Sequence, residues 1–207
     1  MSSTVFLDRD GVINANRADY VKRWEEFQFL PRALEGLALL TAHGCRLVIV
    51  TNQSVVGRGL VSSAALDEMH ARMLAVIARH GGQVSGVLYC PHTPDDECVC
   101  RKPRPGLLLQ ARERFDVELT DAIVVGDHPT DLEAGRRAGC RSLLVLSGRS
   151  EHATAARILD DYPECGAVVP DLLAAAEWIV TQSAGRPAPI PEREPAVPFA
   201  TAGSARP

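Results

Sequence analysis

The chain has 207 residues, 46% hydrophobic and 23% charged, which suits one globular domain with an ample core and a short tail. A formal net charge of −4 argues against a nucleic-acid or membrane-surface partner, so any anion site has to be locally basic. No apolar run approaches a membrane span and no basic segment leads into one, so a cytoplasmic protein is expected. A monomer is the expected state.

Thr4 to Leu7 reads as a buried strand, because an apolar run of β-branched and aromatic residues ends abruptly in charge. Asp8, Arg9 and Asp10 follow, and Gly11 lets the chain turn away. Extended geometry would point Asp8 and Asp10 to the same side. Two like charges so close at the mouth of a buried strand are costly unless a cation or a protonation difference separates them. On this stretch alone, a simple acidic turn and a metal-assisted nucleophile with an acid/base partner are equally open. Asn16 to Phe29 is polar and aromatic without a helical period; Tyr20, Trp24, Phe27 and Phe29 either line a site or pin the loop to the body.

Pro31 opens a helix with Leu34, Leu37 and Leu40 on one face, ending near His43-Gly44. Arg46 to Val50 is a second apolar strand, closed by Thr51-Asn52-Gln53-Ser54 and a Gly57-Arg58-Gly59 loop. Ser62 or Ser63 caps the next helix, which carries Leu66, Met69, Met73, Leu74 and Ile77 and stops at His80-Gly81-Gly82. Val84 to Tyr89 is a third strand, running into Cys90-Pro91-His92. A helix over Pro105 to Phe115 and a strand over Ala122 to Val125 come next. Gly126 to Asp131 opens a helix through Ala138, and Ser142 to Leu146 is a fifth strand. A helix over His152 to Leu159, a strand over Ala167 to Val169 and a helix over Asp171 to Val180 complete a domain of residues 1–181. Residues 182–207, rich in Pro and Ala with little to bury, read as a disordered tail.

Apolar strands alternating with helices imply an α/β fold: a Rossmann-like three-layer sandwich around a mostly parallel sheet. In such sheets, sites form outside the carboxyl ends of the strands, where the strand order switches. Polar clusters end strand one (Asp8, Asp10), strand two (Thr51, Asn52) and strand four (Asp127, Asp131), and Lys102 follows strand three. Four such clusters on one rim point to a site.

Cys90, His92, Cys98 and Cys100 form a second signature in loop 90–100. Three thiolates and an imidazole are a complete tetrahedral set for structural zinc, with no open position for catalysis. Reducing conditions in the cytoplasm oppose a disulfide there. Cys45, Cys140 and Cys165 are scattered among apolar or turn segments and read as small buried or incidental thiols.

Asp8-x-Asp10-Gly11 after a strand, Thr51 after the next, Lys102 in Arg-Lys-Pro, and Gly126-Asp127-x-x-x-Asp131 resemble the four motifs of the haloacid dehalogenase-like phosphohydrolases, from Thr4 to about Leu146. The resemblance implies a Mg²⁺-dependent phosphatase acting through an aspartyl-phosphate. Asp8 would be the nucleophile and Asp10 the general acid and then base. Mg²⁺ would be held by Asp8, the Asp10 backbone carbonyl and Asp127. Thr51 and Lys102 would hold the phosphoryl oxygens. Asp131 is either a partner of Lys102 and of metal-bound waters or a helix N-terminal residue favoured by the dipole. The zinc loop would fix Arg101 and Lys102 over the phosphate site.

Cys-Pro-His…Cys-x-Cys-Arg-Lys-Pro, with Asp8-Arg9-Asp10-Gly11 and Thr51-Asn52-Gln53-Ser54, further resembles the capless histidinol-phosphatase-related branch. Within it, Thr51 to Ser54, Arg58-Gly59 and Arg104-Pro105-Gly106 look more like the D-glycero-D-manno-heptose 1,7-bisphosphate 7-phosphatases than the histidinol-phosphate phosphatases. Two departures stand out. His128 occupies a place where the heptose enzymes carry lysine or another polar residue, and Val55-Val56 replaces a Gly-containing pair. A small phosphorylated sugar is the implied substrate, met by Asn52, Gln53, Arg58, Arg101, Lys102 and His128. No segment between motifs could form a large cap. The site is therefore expected to be open, shaped by the loops Asn16 to Phe27 and Ser54 to Leu60 and by the zinc loop. A 3′-phosphatase of nucleic-acid ends is disfavoured by the acidic net charge. A non-catalytic zinc-stabilised module is disfavoured by the joint presence of Asp8, Asp10, Thr51, Lys102 and Asp127.

Overall fold

Among the described residues, six strands rich in aliphatic residues pair in parallel into one sheet of order β3-β2-β1-β4-β5-β6. They are β1 (Thr4–Leu7), β2 (Arg46–Asn52), β3 (Val84–Cys90), β4 (Ile123–Gly126), β5 (Arg141–Val145) and β6 (Cys165–Val169). The structure, a computed structural model, describes residues 3–148, 158, 160–162 and 165–183. Among the described residues the helices that accompany the strands are α1 (Ala33–Ala42), α2 (Ser54–Gly57), α3 (Ser63–Arg79), α4 (Gly106–Phe115), α5 (Pro129–Ala138) and α6 (Leu172–Ser183).

The alternation of side chains along each strand divides the core into two layers. Val5 and Leu7 of β1 join Ile49 and Val125 in a cluster with Leu37 and Leu40 of α1, Met69 and Met73 of α3, and Leu172 and Ile179 of α6. Phe6, Val48, Val50 and Val124 instead pack with Leu107, Leu108 and Ala111 of α4 and Ala134 of α5. Each fully buried side chain of this size is worth about 1.5–3 kcal/mol, so the strands have strong reason to keep their register. α3 starts where Ser62 accepts a hydrogen bond from the Ala65 N–H at 3.2 Å, a cap worth about 1 kcal/mol.

The expected α/β sandwich is what forms, with strand ends displaced by one or two residues. One local expectation fails: Ser54–Gly57, expected as loop, makes a helical turn whose Ser54 and Val55 are buried. The helix expected over 152–159 lies almost entirely outside the described residues; Ile158 is helical and buried against Leu132 and Leu144. The tail expected over 182–207 lies outside them beyond Ser183, to which α6 extends.

Two features position a site. β1 lies at the centre between β2 and β4, so Asp8, Thr51 and Asp127 emerge side by side at the carboxyl rim, where the strand order reverses. Among the described residues, the segment between β1 and α1 holds a 3₁₀ turn at Trp24–Glu26 and isolated bridges of Asn14 with Asp10 and Phe29, and that between β3 and α4 a 3₁₀ turn at Pro94–Asp96, so these residues build no cap domain over the rim. No described helix is long and apolar enough to cross a membrane.

Candidate active site

The rim opens into a cleft lined by residues of all four motif positions and of the loop after β1. Its charged lining is balanced: Asp8, Asp10, Asp127 and Asp131 against Arg9, Arg17, Arg101 and Lys102. A divalent cation would therefore leave the cleft at about +2, complementary to a phosphate monoester dianion, on a chain of net charge −4.

The two aspartates of the first motif end in different settings. Asp8 accepts from the Arg9 backbone N–H at 2.7 Å and pairs with Lys102 Nζ at 3.0 Å. Burial raises its pKa, only partly offset by Lys102, so that it is pushed up to about 6. The Asp10 carboxylate instead accepts from the Arg9 guanidinium at 3.0 Å, Asn14 Nδ2 at 2.8 Å and Gln53 Nε2 at 2.7 Å. Burial again raises its pKa, but the Arg9 charge and these three donors outweigh it and hold the carboxyl below its usual value.

Lys102 is 5% exposed and lies between two anions, Asp8 and Asp131, the latter at 2.5 Å, and it also donates to the Val50 carbonyl at 2.9 Å. Burial lowers its pKa, yet Asp131 and Asp8 together raise it above the ordinary lysine value. Asp131 combines the Lys102 pairing with the place at the helix N-terminus. It pairs with Lys102, and it accepts from the His128 backbone N–H at 3.1 Å, closing a capping box at the start of α5. Asn52 clips the lysine segment in place, its Nδ2 donating to the Lys102 carbonyl and its Oδ1 accepting from the Lys102 N–H, both at 3.1 Å. Gln53 donates to Asp10 and to Thr51 Oγ1, the latter at 3.0 Å. The amides expected at substrate are thus engaged within the site.

Asp127 is 2% exposed and wedged between glycines: a Cβ on Gly11 would stand 2.2 Å from its Oδ2, and one on Gly148 2.0 Å. Asn16 Nδ2 donates to that oxygen at 2.9 Å. Gly11 has φ +88°, and its carbonyl accepts from Ser147 Oγ at 2.8 Å, which ties the loop after β5 to the first motif. Asp8, Asp127 and Asp131 each offer a carboxylate oxygen within 4.8 Å of the others. The Asp10 carboxylate is not in that group.

The expected positive contacts divide. Arg101 lines the cleft, its Nη1 donating to the His92 carbonyl at 3.1 Å. His128 lines it too, with Nδ1 accepting from the Thr130 N–H at 3.3 Å, a cap for α5. Arg58 is not among the lining residues; its guanidinium lies 6.0 Å from the centroid of the Tyr20 ring, which does line the cleft. Arg17 lines the cleft instead, from the loop after β1.

In loop 90–100 the four expected ligands converge. Cys90 Sγ is 3.2 Å from Cys100 Sγ and 3.5 Å from Cys98 Sγ, while His92 Nδ1 is 3.3 Å from Cys100 Sγ and 3.6 Å from Cys90 Sγ. A tetrahedral ion with metal–sulfur bonds of about 2.3 Å separates its thiolates by about 3.8 Å, so the thiols need to spread by only a few tenths of an ångström to hold one. All three thiols are free of disulfides. Cys98 is partly buried, which raises its pKa, yet hydrogen bonds from Cys100 and Cys90 pull it down to about 7.

A HAD-hydrolase-like family model matches residues 99–176. The D-glycero-β-D-manno-heptose-1,7-bisphosphate 7-phosphatase of Pseudomonas aeruginosa is 41% identical over 178 residues, 86% of this chain and 98% of the relative. The chain belongs to the haloacid dehalogenase-like hydrolases. The α-anomer counterpart from Mycobacterium tuberculosis is 39% identical to this hydrolase over 80% of the chain and 90% of the relative. The crystal structure of a D,D-heptose 1,7-bisphosphate phosphatase from B. bronchiseptica, complexed with magnesium and phosphate, superposes with a TM-score of 0.79 at 38% identity, covering 87% of this chain and 99% of that one.

The carboxylates of this hydrolase suit such an ion: hard oxygen donors, two of them buried, with Asp127 wedged by glycines that leave no room for a side chain. Arg9, Asn14, Asn16 and Arg17 were not singled out from the sequence. Arg9 carried the clearest signal, an arginine set between two aspartates at the end of an apolar strand. Asn16 and Arg17 carried none, because only the path of the loop brings them to the cleft.

Proposed function

We propose that this hydrolase removes the 7-phosphate from D-glycero-D-manno-heptose 1,7-bisphosphate. The observation that carries the chemistry is the unlike holding of two aspartates two residues apart: Asp8 beside Lys102 and the other carboxylates, Asp10 within Arg9, Asn14 and Gln53. The substrate follows from relatives that carry this name at 36–41% identity over most of their length.

In this reading an Asp8 carboxylate oxygen attacks phosphorus, and the bond from phosphorus to the C7 oxygen breaks. The departing alkoxide takes a proton from Asp10. In the free site Arg9 disfavours that proton, and the arriving phosphate dianion, a like charge, restores it. Asp10, now a carboxylate, takes a proton from water. The water attacks the aspartyl-phosphate, the bond to Asp8 breaks, and inorganic phosphate leaves. Lys102 and Thr51 hold the equatorial oxygens in both steps, Lys102 fixed in advance by Asp131 and Val50. Mg²⁺, bound by Asp8 and Asp127 with Asp131 close by, would supply charge neutralisation and alignment of the phosphoryl group. Zinc in the Cys90, His92, Cys98 and Cys100 cluster would act as a staple holding Arg101 and Lys102 over the cleft.

Arg101, and Arg17 from its exposed pairing with Asp19, are the cleft cations that would meet the second phosphate. The test is a phosphate-release panel with both anomers of the bisphosphate and with histidinol phosphate, read by ³¹P NMR. Selective loss of the 7-phosphate is expected; a preference for histidinol phosphate, or loss of the 1-phosphate, would refute the assignment.

A further inference from the structure

Arg9 is 1% exposed, and its guanidinium has three neighbours: the Asp10 carboxylate at 2.9 Å, Nε2 of His70 at 3.1 Å, and the face of Phe27 at 5.9 Å. Its Nε has no hydrogen-bond partner among the described residues. His70 is 4% exposed on α3, outside every motif. A guanidinium only donates, so the nitrogen facing it bears no proton and the imidazole is the neutral Nδ1–H tautomer. Burial and the Arg9 charge keep it neutral despite the Asp10 anion, its pKa pulled down to about 3.

We propose that His70 is a positioning residue of the reaction, a neutral acceptor that fixes the Arg9 guanidinium against Asp10 without drawing off its charge. The other side-chain classes fail at this place for physical reasons. An apolar residue would leave Nη1 buried without a partner beside an Nε that already lacks one. A carboxylate would divide the charge of Arg9 between two anions. With a neutral acceptor on one side and a π-face on another, Asp10 is the one carboxylate that Arg9 pairs with among the described residues. The direction of the Asp10 carboxylate then depends on α3. The proposal rests on the acid/base role given to Asp10 above.

The test uses the dependence of kcat/KM on the leaving group, since this constant reports the steps through phosphoryl transfer. A sugar phosphate leaves as an alkoxide that needs the Asp10 proton; 4-nitrophenyl phosphate leaves as a phenolate that does not. In His70→Leu, kcat/KM for the bisphosphate is expected to fall about tenfold or more, with less than about threefold change for the aryl ester. His70→Gln, whose amide oxygen reaches the place of Nε2, should restore the bisphosphate to within about threefold, and the shorter His70→Asn should behave as His70→Leu. This amide pair decides the matter if His70→Leu does not fold. ¹⁵N spectra of the wild type should show His70 protonated at Nδ1. Equal losses on both esters, equal behaviour of Gln and Asn, or an Nε2-protonated His70 would overturn the proposal. Asp10→Asn measured alongside separates the two readings. If Asp10→Asn lowers both esters equally, the acid/base role falls and the proposal with it. If it is selective and the His70 variants are not, only the proposal falls.

Discussion

Asp8→Asn should abolish hydrolysis and, in Mg²⁺-free protein, stabilise the fold. The reason is linkage. Asp8 titrates at about 6 in the folded chain and at the ordinary 3.8 when unfolded, because burial penalises the carboxylate more than Lys102 supports it. A group raised in the fold contributes stability that is present below 3.8 and lost as the pH rises through about 6. The full loss corresponds to about 3 kcal/mol at neutral pH. An amide is neutral at every pH and escapes that loss. The variant should therefore match the wild type near pH 4, and exceed it by about 1–3 kcal/mol at pH 7.5, an increase of about 1 M in the urea midpoint. Urea unfolding at several pH values, on zinc-loaded protein dialysed free of Mg²⁺, makes the measurement. Adding Mg²⁺ should then close the gap by stabilising the wild type alone. A variant less stable than the wild type at pH 7.5, or a difference independent of pH, would refute the reasoning, as would substantial remaining turnover.

Lys102→Met leaves Asp8 and Asp131 facing each other without their cation; a loss of about 3–5 kcal/mol in thermal or urea unfolding and of nearly all turnover is expected. Gly148→Ala drives a Cβ into the Asp127 carboxylate, so the Mg²⁺ concentration for half-maximal activity should rise about 10–100-fold, with saturating activity less affected. Metal analysis of protein purified without chelator should find about one zinc per chain, and Cys98→Ser should lower both zinc content and melting temperature. Arg17→Ala should raise KM for the bisphosphate severalfold, while Arg58→Ala, removed from the cleft by its contact with Tyr20, should change it little.

The alternation of apolar strands and helices by itself determined the α/β class, because a strand covered on both faces has no polar side to show. The rim was also legible: Asp8, Thr51, Lys102 and Asp127 sit where charge interrupts apolar runs, and such interruptions are local events in a sequence. So was the Cys90, His92, Cys98 and Cys100 cluster, whose members lie within one loop. Tertiary structure alone decided which polar groups face each other across the cleft. It brought His70 of α3 onto Arg9, Asn16 onto Asp127 and Asn52 onto the Lys102 backbone, partnerships spanning 61, 111 and 50 residues. It also set Arg58 aside on Tyr20 and turned Arg17 to the cleft. No local pattern encodes such pairs, because a hydrogen bond between distant segments leaves the periodicity of neither one changed.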